Sequence, residues 1–563
     1  MYLYYEIFEE IVGVNYLALV TLQLGNHPPL PHPLNTHPPR QHHNILQPND
    51  TRTQQQPPII ITIATATTTK PNPLHPPTLW PRYRKNLMLT LSCFATFLTA
   101  YVAGSYSPPR ALLEASLSPS SSSLVILTGI TTFCLGFGLA PMLLAPFSEL
   151  NGRYTVFVAA GAVYVVFQAV CGLVTTVAGM LVARFLVGAG ASVFATMVGG
   201  VIADMWEREE RNTPMALFSG AVLAGTGAGP LVASVMVERL GGGGGGEIEM
   251  GLGAAWRRPI SSSSDCVDGG VPDEKKLHTV TRASHLKRIR WKVKEDEARS
   301  SLKHTIYLSL YHPFHLLFTE PVVFFFSLWA AFAWGVLYLT FGSIPLVFRR
   351  QYGFTIEQSG YVFSAMIVGA ILATGIGIWQ DKILNHPRWR LVAPAKVSPS
   401  SSGPPYDDSK GDKIWALVRT RFPAESPEAR LYFTCFTSAL LPVGLFIFGL
   451  TARPDIHWIV PTLGVMLATM GITSVYLAVF NYLADTYHKH ASSALAAQSL
   501  CRNILGGVFP LVTALTFESL GEAGAGALLG GIAAVLTAVP WVLVFWGEDI
   551  RRRSPIAREL GKT

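Results

Sequence analysis

Apolar residues in this chain gather into long runs rather than into the short alternations of a soluble core. Predominantly apolar stretches of roughly 20 residues, enough to cross about 30 Å of hydrocarbon as a helix, occupy 87–106, 123–147, 154–174, 177–205 and 216–237. After a long interruption six more follow, at 322–348, 360–380, 431–451, 458–483, 493–517 and 524–546. Lipid offers no partner to a backbone N–H or C=O, so runs of this kind satisfy their own backbone as helices. The pattern therefore predicts an all-α integral membrane protein with eleven recognisable spans.

The two groups of runs read as copies of one another. Ala203-Asp204-Met205-Trp206 closes one apolar run and is followed by a run containing Pro230-Leu231-Val232, while Ala484-Asp485-Thr486-Tyr487 stands before Pro510-Leu511-Val512 in the same way. A repeat of this size on both sides of a polar middle is the pattern of a carrier whose halves rock about a shared central site. It predicts a two-half helical bundle with twelve spans, one more than the hydropathy supplies.

The chain divides accordingly. Residues 1–80 form an N-terminal tail, dominated by Pro, His, Thr and Gln from Asn26 to Pro77 and expected to be disordered. Residues 81–240 form the first membrane half and 321–547 the second, with a C-terminal tail at 548–563. Between the halves, 241–320 holds a glycine run, a serine run and the basic stretch from Lys287 to Lys303, with nothing apolar enough for a sixth span. Arg82, Arg84 and Lys85 before the first run place the N-terminus in the cytosol by the positive-inside bias. Arg388, Arg390, Lys410, His488, Lys489 and Arg551 to Arg553 place the second half in the matching orientation, with a cytosolic C-terminus. An odd number of spans cannot satisfy both halves. Either one helix is absent, through deletion or a wrongly joined exon, or one half inserts abnormally; the repeat symmetry favours the first.

Composition narrows the function. Half of the residues are hydrophobic and 14% are charged, against about 25% charged in soluble domains. The net charge of +8 sits beside membrane runs, where sidedness explains it without nucleic acid. Cys93, Cys134, Cys171, Cys435 and Cys501 stand singly within apolar runs, and His27, His32, His37, His42 and His43 are spaced irregularly among prolines, so neither set has metal-ligand spacing. No phosphate-binding loop and no paired acids, serine–histidine pair or metal cluster occur inside the spans, which argues against ATP-driven or enzymatic chemistry. No cofactor is expected.

Several motifs carry chemistry. Ala145-Pro146-Phe147-Ser148-Glu149-Leu150-Asn151-Gly152-Arg153 is a short charged turn in which Glu149 and Arg153 can latch helix ends. In the fourth run, Arg184, Gly188, Ser192, Thr196 and Gly200 recur every fourth residue and share one narrow helical face. In the fifth, Gly225-Thr226-Gly227-Ala228-Gly229-Pro230 combines a small-residue packing face through Gly225 and Gly229 with a proline that permits a kink. Trp334, Tyr338 and Phe341 share a face of the first run of the second half.

These motifs resemble those of the major facilitator superfamily, specifically its twelve-span drug:proton antiporter branch common in fungi. Phe318-Thr319-Glu320-Pro321, Pro427-Glu428-Ala429-Arg430-Leu431, His457-Trp458-Ile459-Val460-Pro461, Asn481-Tyr482-Leu483-Ala484-Asp485 and the segment from Arg502 to Pro510 are also typical of it. The resemblance implies gating by Glu149, Gly152, Arg153, Asp204, Arg211 and Asp485 at the cytosolic helix ends. It implies proton coupling assisted by Arg184, whose alternative is snorkelling or bonding to backbone carbonyls. It implies helix packing by Gly188, Gly225, Gly229 and Pro230, and a substrate cavity lined by Tyr101, Tyr106, Ser192, Trp334, Tyr338, Phe341, Tyr476, Asn481 and Arg502. Two departures are notable: Tyr154 stands where the family has a second basic residue, and Ala233-Ser234 where it has two glycines.

The expected function is export of drugs or small amphipathic metabolites by proton antiport and alternating access, from the plasma membrane, by a monomer whose partners are a small-molecule substrate, protons and the bilayer. Aromatic walls with few fixed charges suit flat, amphipathic or cationic molecules. Uptake of a nutrient, polyamine or siderophore, or a transporter-like sensor, is the competing expectation.

Overall fold

The computed structural model describes residues 80–117, 123–151, 153–207, 210–241, 302–385, 389, 420–423, 426–487 and 491–553. The histidine-rich tail, the glycine and serine runs with the question of a sixth span, and Arg388, Arg390, Lys410, His488 and Lys489 lie outside the described residues, as does Gly152. The side chains of Glu149, Arg153 and Asp204 also lie outside the described set.

Among the described residues every regular element is helical. The first half comprises α1 (Arg82–Gly104), the short α2 (Arg110–Leu117), α3 (Ser123–Asn151), α4 (Arg153–Leu173), α5 (Val177–Met205) and α6 (Asn212–Gly241). A helix α7 (Leu302–Thr319) occupies the end of the segment between the halves, and the second half follows as α8 (Pro321–Tyr352), α9 (Ile356–Tyr361), α10 (Ser364–Leu384), α11 (Thr434–Thr437), α12 (Leu440–Thr451), α13 (Ile459–Tyr487), α14 (Ala491–Leu536) and α15 (Ala538–Arg553). Among the described residues ten segments are long and apolar enough to cross a membrane, and the last of them, Ser493–Arg553, is two helices joined at Gly521, long enough for two crossings.

Local sequence explains where the helices start and stop. Thr176 caps α5 by accepting from the Gly179 N–H at 3.3 Å. Thr355 and Gln358 form a reciprocal capping box at α9. Pro321 opens α8 directly after Glu320, where a missing N–H costs nothing. Gly353 ends α8 in the left-handed region with φ 65°, a conformation that a side chain resists.

Glycine sets the packing inside each half. A Cβ on Gly188 would lie 2.1 Å from the Phe133 carbonyl oxygen, and one on Gly136 the same distance from that of Phe185, so α3 and α5 meet backbone to backbone. Gly225 and Gly229 admit α1 as closely, since a Cβ on either would strike the Phe97 or Tyr101 carbonyl oxygen. In the second half Gly444 fits against α13, and Gly449 against Gly526 of α14. The halves meet along two seams, α3 against α14 and α6 against α10. Thr131 donates to the Gly507 carbonyl across the first seam at 2.8 Å.

Candidate functional site

Two sets of side chains lie between the halves, a polar cluster at one end and a cavity at mid-depth. The cluster is assembled from helix termini. Asp485 at the end of α13 lies 3.7 Å from Arg211, just before α6, and 3.1 Å from Arg430 Nε. Arg430 also reaches Asp381 of α10 at 4.0 Å, and Asp381 accepts from the Thr213 hydroxyl at 3.1 Å. Beneath them Asn481 donates to Asn212 Oδ1 at 2.7 Å, and Asn212 donates to the Gly377 carbonyl at 3.4 Å.

Each acid is thus shared between an arginine of its own half and a group of the other. These groups are largely withdrawn from water, and removing one partner of such a pair costs about 3–5 kcal/mol because the remaining charge is stranded. Beside this cluster, Glu428 pairs with Arg551 and accepts from Tyr482, while Tyr487 donates to Glu320 at 3.2 Å. The opposite end is closed by fewer links. Arg239 of α6 pairs with Glu357 of α9 at 2.7 Å, and Ser107 donates to the Phe341 carbonyl at 2.9 Å.

A small mid-depth cavity lies between the halves. Thr96, Thr99, Phe137, Val222 and Thr226 line it from the first half, and Trp334, Tyr338, Tyr476 and Arg502 from the second. The threonine hydroxyls donate to backbone carbonyls, which keeps them local: Thr96 to Phe194, Thr99 to Thr96 and Thr226 to Leu223. Arg502 is 1% exposed, its guanidinium 4.4 Å from the Trp334 ring centroid and 5.0 Å from that of Tyr476. The two rings stack on each other at 5.6 Å.

Arg184 is likewise buried, at 3% exposure, between the rings of Tyr106 and Phe133 at 4.3 and 4.9 Å. Its Nε donates to the Gly129 carbonyl at 3.4 Å, so it bonds inward and does not snorkel.

The structure thus brings Trp334, Tyr338, Tyr476 and Arg502 together in one cavity and joins Arg211 to Asp485 across the halves. It separates other residues grouped with them on sequence. Asn481 lies in the polar cluster, Ser192 bonds the Ala189 carbonyl, and Tyr101, Tyr106 and Phe341 are outside the cavity lining. Sequence reasoning missed Asp381, Asn212 and Thr213 because each is an ordinary polar residue at a run's edge. Arg430 was visible within Pro427-Glu428-Ala429-Arg430, but its partners were not.

Known proteins share the family and the fold. Residues 89–397 match the Major Facilitator Superfamily. The chain is 31% identical to the MFS transporter paaT of Penicillium rubens over 84% of its own length and 79% of that protein. It is 29% identical to the efflux pump FUBT of Fusarium oxysporum, covering 85% and 76% of the two chains. It is 30% identical to the major facilitator superfamily multidrug transporter mdrA of Aspergillus fumigatus, covering 85% and 74%. Its backbone is similar to that of the proton:xylose symporter XylE, with a TM-score of 0.52 at 12% identity over 82% of this chain and 97% of that one.

Proposed function

The chain belongs to the major facilitator superfamily of membrane transporters, and from that premise we propose that it exports drugs or small amphipathic metabolites by proton antiport. It is a transporter and not an enzyme. The observation that carries the export reading is a mid-depth cavity between two repeat halves, closed at one end by the shared Asp381–Arg430–Asp485 cluster. Relatives named as efflux pumps and as a multidrug transporter support the direction.

In this mechanism the cavity opens to the cytosol when Arg211 and Thr213 leave the acids of the second half, and outward when Arg239 releases Glu357. Protonation of Asp485 or Asp381 removes the charge that holds the arginines, which links a proton to the first step. Arg184, held between the Tyr106 and Phe133 rings, sets the field around the cavity. The membrane is the plasma membrane, with both termini cytosolic, and the working unit is a monomer.

Vesicle transport tests the reading. A neutral multidrug-efflux dye such as Nile red should leave vesicles carrying this chain only while a pH gradient stands. Efflux that continues undiminished after an uncoupler collapses the gradient rules out the antiport.

A further inference from the structure

We propose that the cavity selects small organic anions, molecules with a flat apolar body and one carboxylate-type group that Arg502 receives. The proposal rests on reading this cavity as the transport site.

The unmatched polar atoms of the lining are donors. Arg502 Nε and Nη1 are buried without an acceptor, while its Nη2 has only the Ser499 hydroxyl at 3.5 Å. The Trp334 indole N–H and the Tyr476 hydroxyl are buried and unmatched beside it. Among the described residues no carboxylate lines the cavity. A second guanidinium, that of Arg184, leaves Nη2 unmatched a short way off and shares with Arg502 the neighbours Cys134 and Tyr338.

A buried, permanently charged guanidinium without a counter-charge is costly, and a ligand carboxylate would supply both the charge and the acceptors. The same geometry excludes the opposite class. The faces of Trp334 and Tyr476, which would attract a cationic ligand, are already occupied by Arg502, whose charge repels a second cation. The first half lines the other side of the cavity with small threonine and alanine side chains, against which an apolar body would pack.

Three matched probes, benzoate, benzamide and benzamidinium, test this by calorimetric titration of the purified full-length chain. Benzoate should bind at least about ten-fold tighter than benzamide, the size of a charge-assisted hydrogen bond, and benzamidinium should bind worst. Arg502→Lys should weaken benzoate binding and keep the ranking; Arg502→Gln should abolish the preference. Size-exclusion profiles establish that the variants are folded, and the wild-type ranking decides the matter without them. Benzamide or benzamidinium binding as tightly as benzoate, no benzoate binding, or a preference that survives in folded Arg502→Gln overturns the anion site.

The two readings fail separately. A preferred amidinium that vesicles export under a pH gradient sinks the anion site and leaves export standing. A preferred benzoate that vesicles do not move under any gradient does the reverse.

Discussion

At the residue scale, the buried charges carry the clearest consequences. Asp485 compensates Arg211 from one half and Arg430 from the other, so Asp485→Asn removes the nearest acid of both arginines, leaves Arg430 its longer contact with Asp381, and destabilises the closed end by about 3 kcal/mol. That is roughly a hundred-fold shift toward the open state. A cysteine placed at Ala216, which lines the pocket beside the cluster, should then react much faster with a membrane-impermeant maleimide from that side. An unchanged rate means that the cluster is no gate. Glycines give a second contrast. Gly188→Val drives a side chain into the Phe133 carbonyl, with an expected loss of at least about 1–3 kcal/mol. Gly375→Ala meets nothing within 4 Å and should gain about 0.5–1 kcal/mol from helix propensity. Thermal unfolding of the purified protein separates the two. At this scale the sequence exposed the special residues but not their partners: Arg184 and Arg502 stand out in any apolar run, whereas Asp381 becomes notable only beside Arg430.

At the element scale, helix ends decide more than helix interiors. The reversal between the last two crossings depends on Gly521, at φ 68° and ψ 175°, a region that only glycine enters readily. Gly353, at φ 65° and ψ 24°, lies in the left-handed helical region that asparagine also tolerates. Gly521→Asn should therefore lower the melting temperature more than Gly353→Asn, and equal effects would remove the conformational explanation. The apolar runs located the eleven crossings before any coordinates, because span length follows from bilayer thickness. The breaks at Glu320 and in the stretch from Pro427 to Arg430 needed the fold, since each carries an acid held by a helix distant in sequence.

At the scale of the whole molecule, the two halves are unequally wrapped. In the second half Gly449 of α12 packs against Gly526 of α14. In the first, the span in α4 has only 17% of its apolar window buried, and Val166 and Leu173 are about half exposed. The repeat assigns that flank to the sixth helix. We expect a version carrying a sixth helix from a related transporter to accumulate to higher levels than this chain, as judged by immunoblotting of membrane fractions. Equal levels and equal drug resistance would show that the flank needs no further helix.

The sequence by itself determined the solvent, the helical class and the two-half plan, because hydropathy and repeat spacing are properties of the chain alone. It also offered the motifs on which membership of the superfamily was suspected. Tertiary structure decided which charges meet. Trp334 and Tyr476, read along the helices, look like a bed for a cation; folded, they hold the chain's own Arg502. The reason is physical: a side chain's electrostatic partner is set by proximity in a low-dielectric interior, and Arg502 lies on a different helix from both rings, at a sequence distance that no local pattern records.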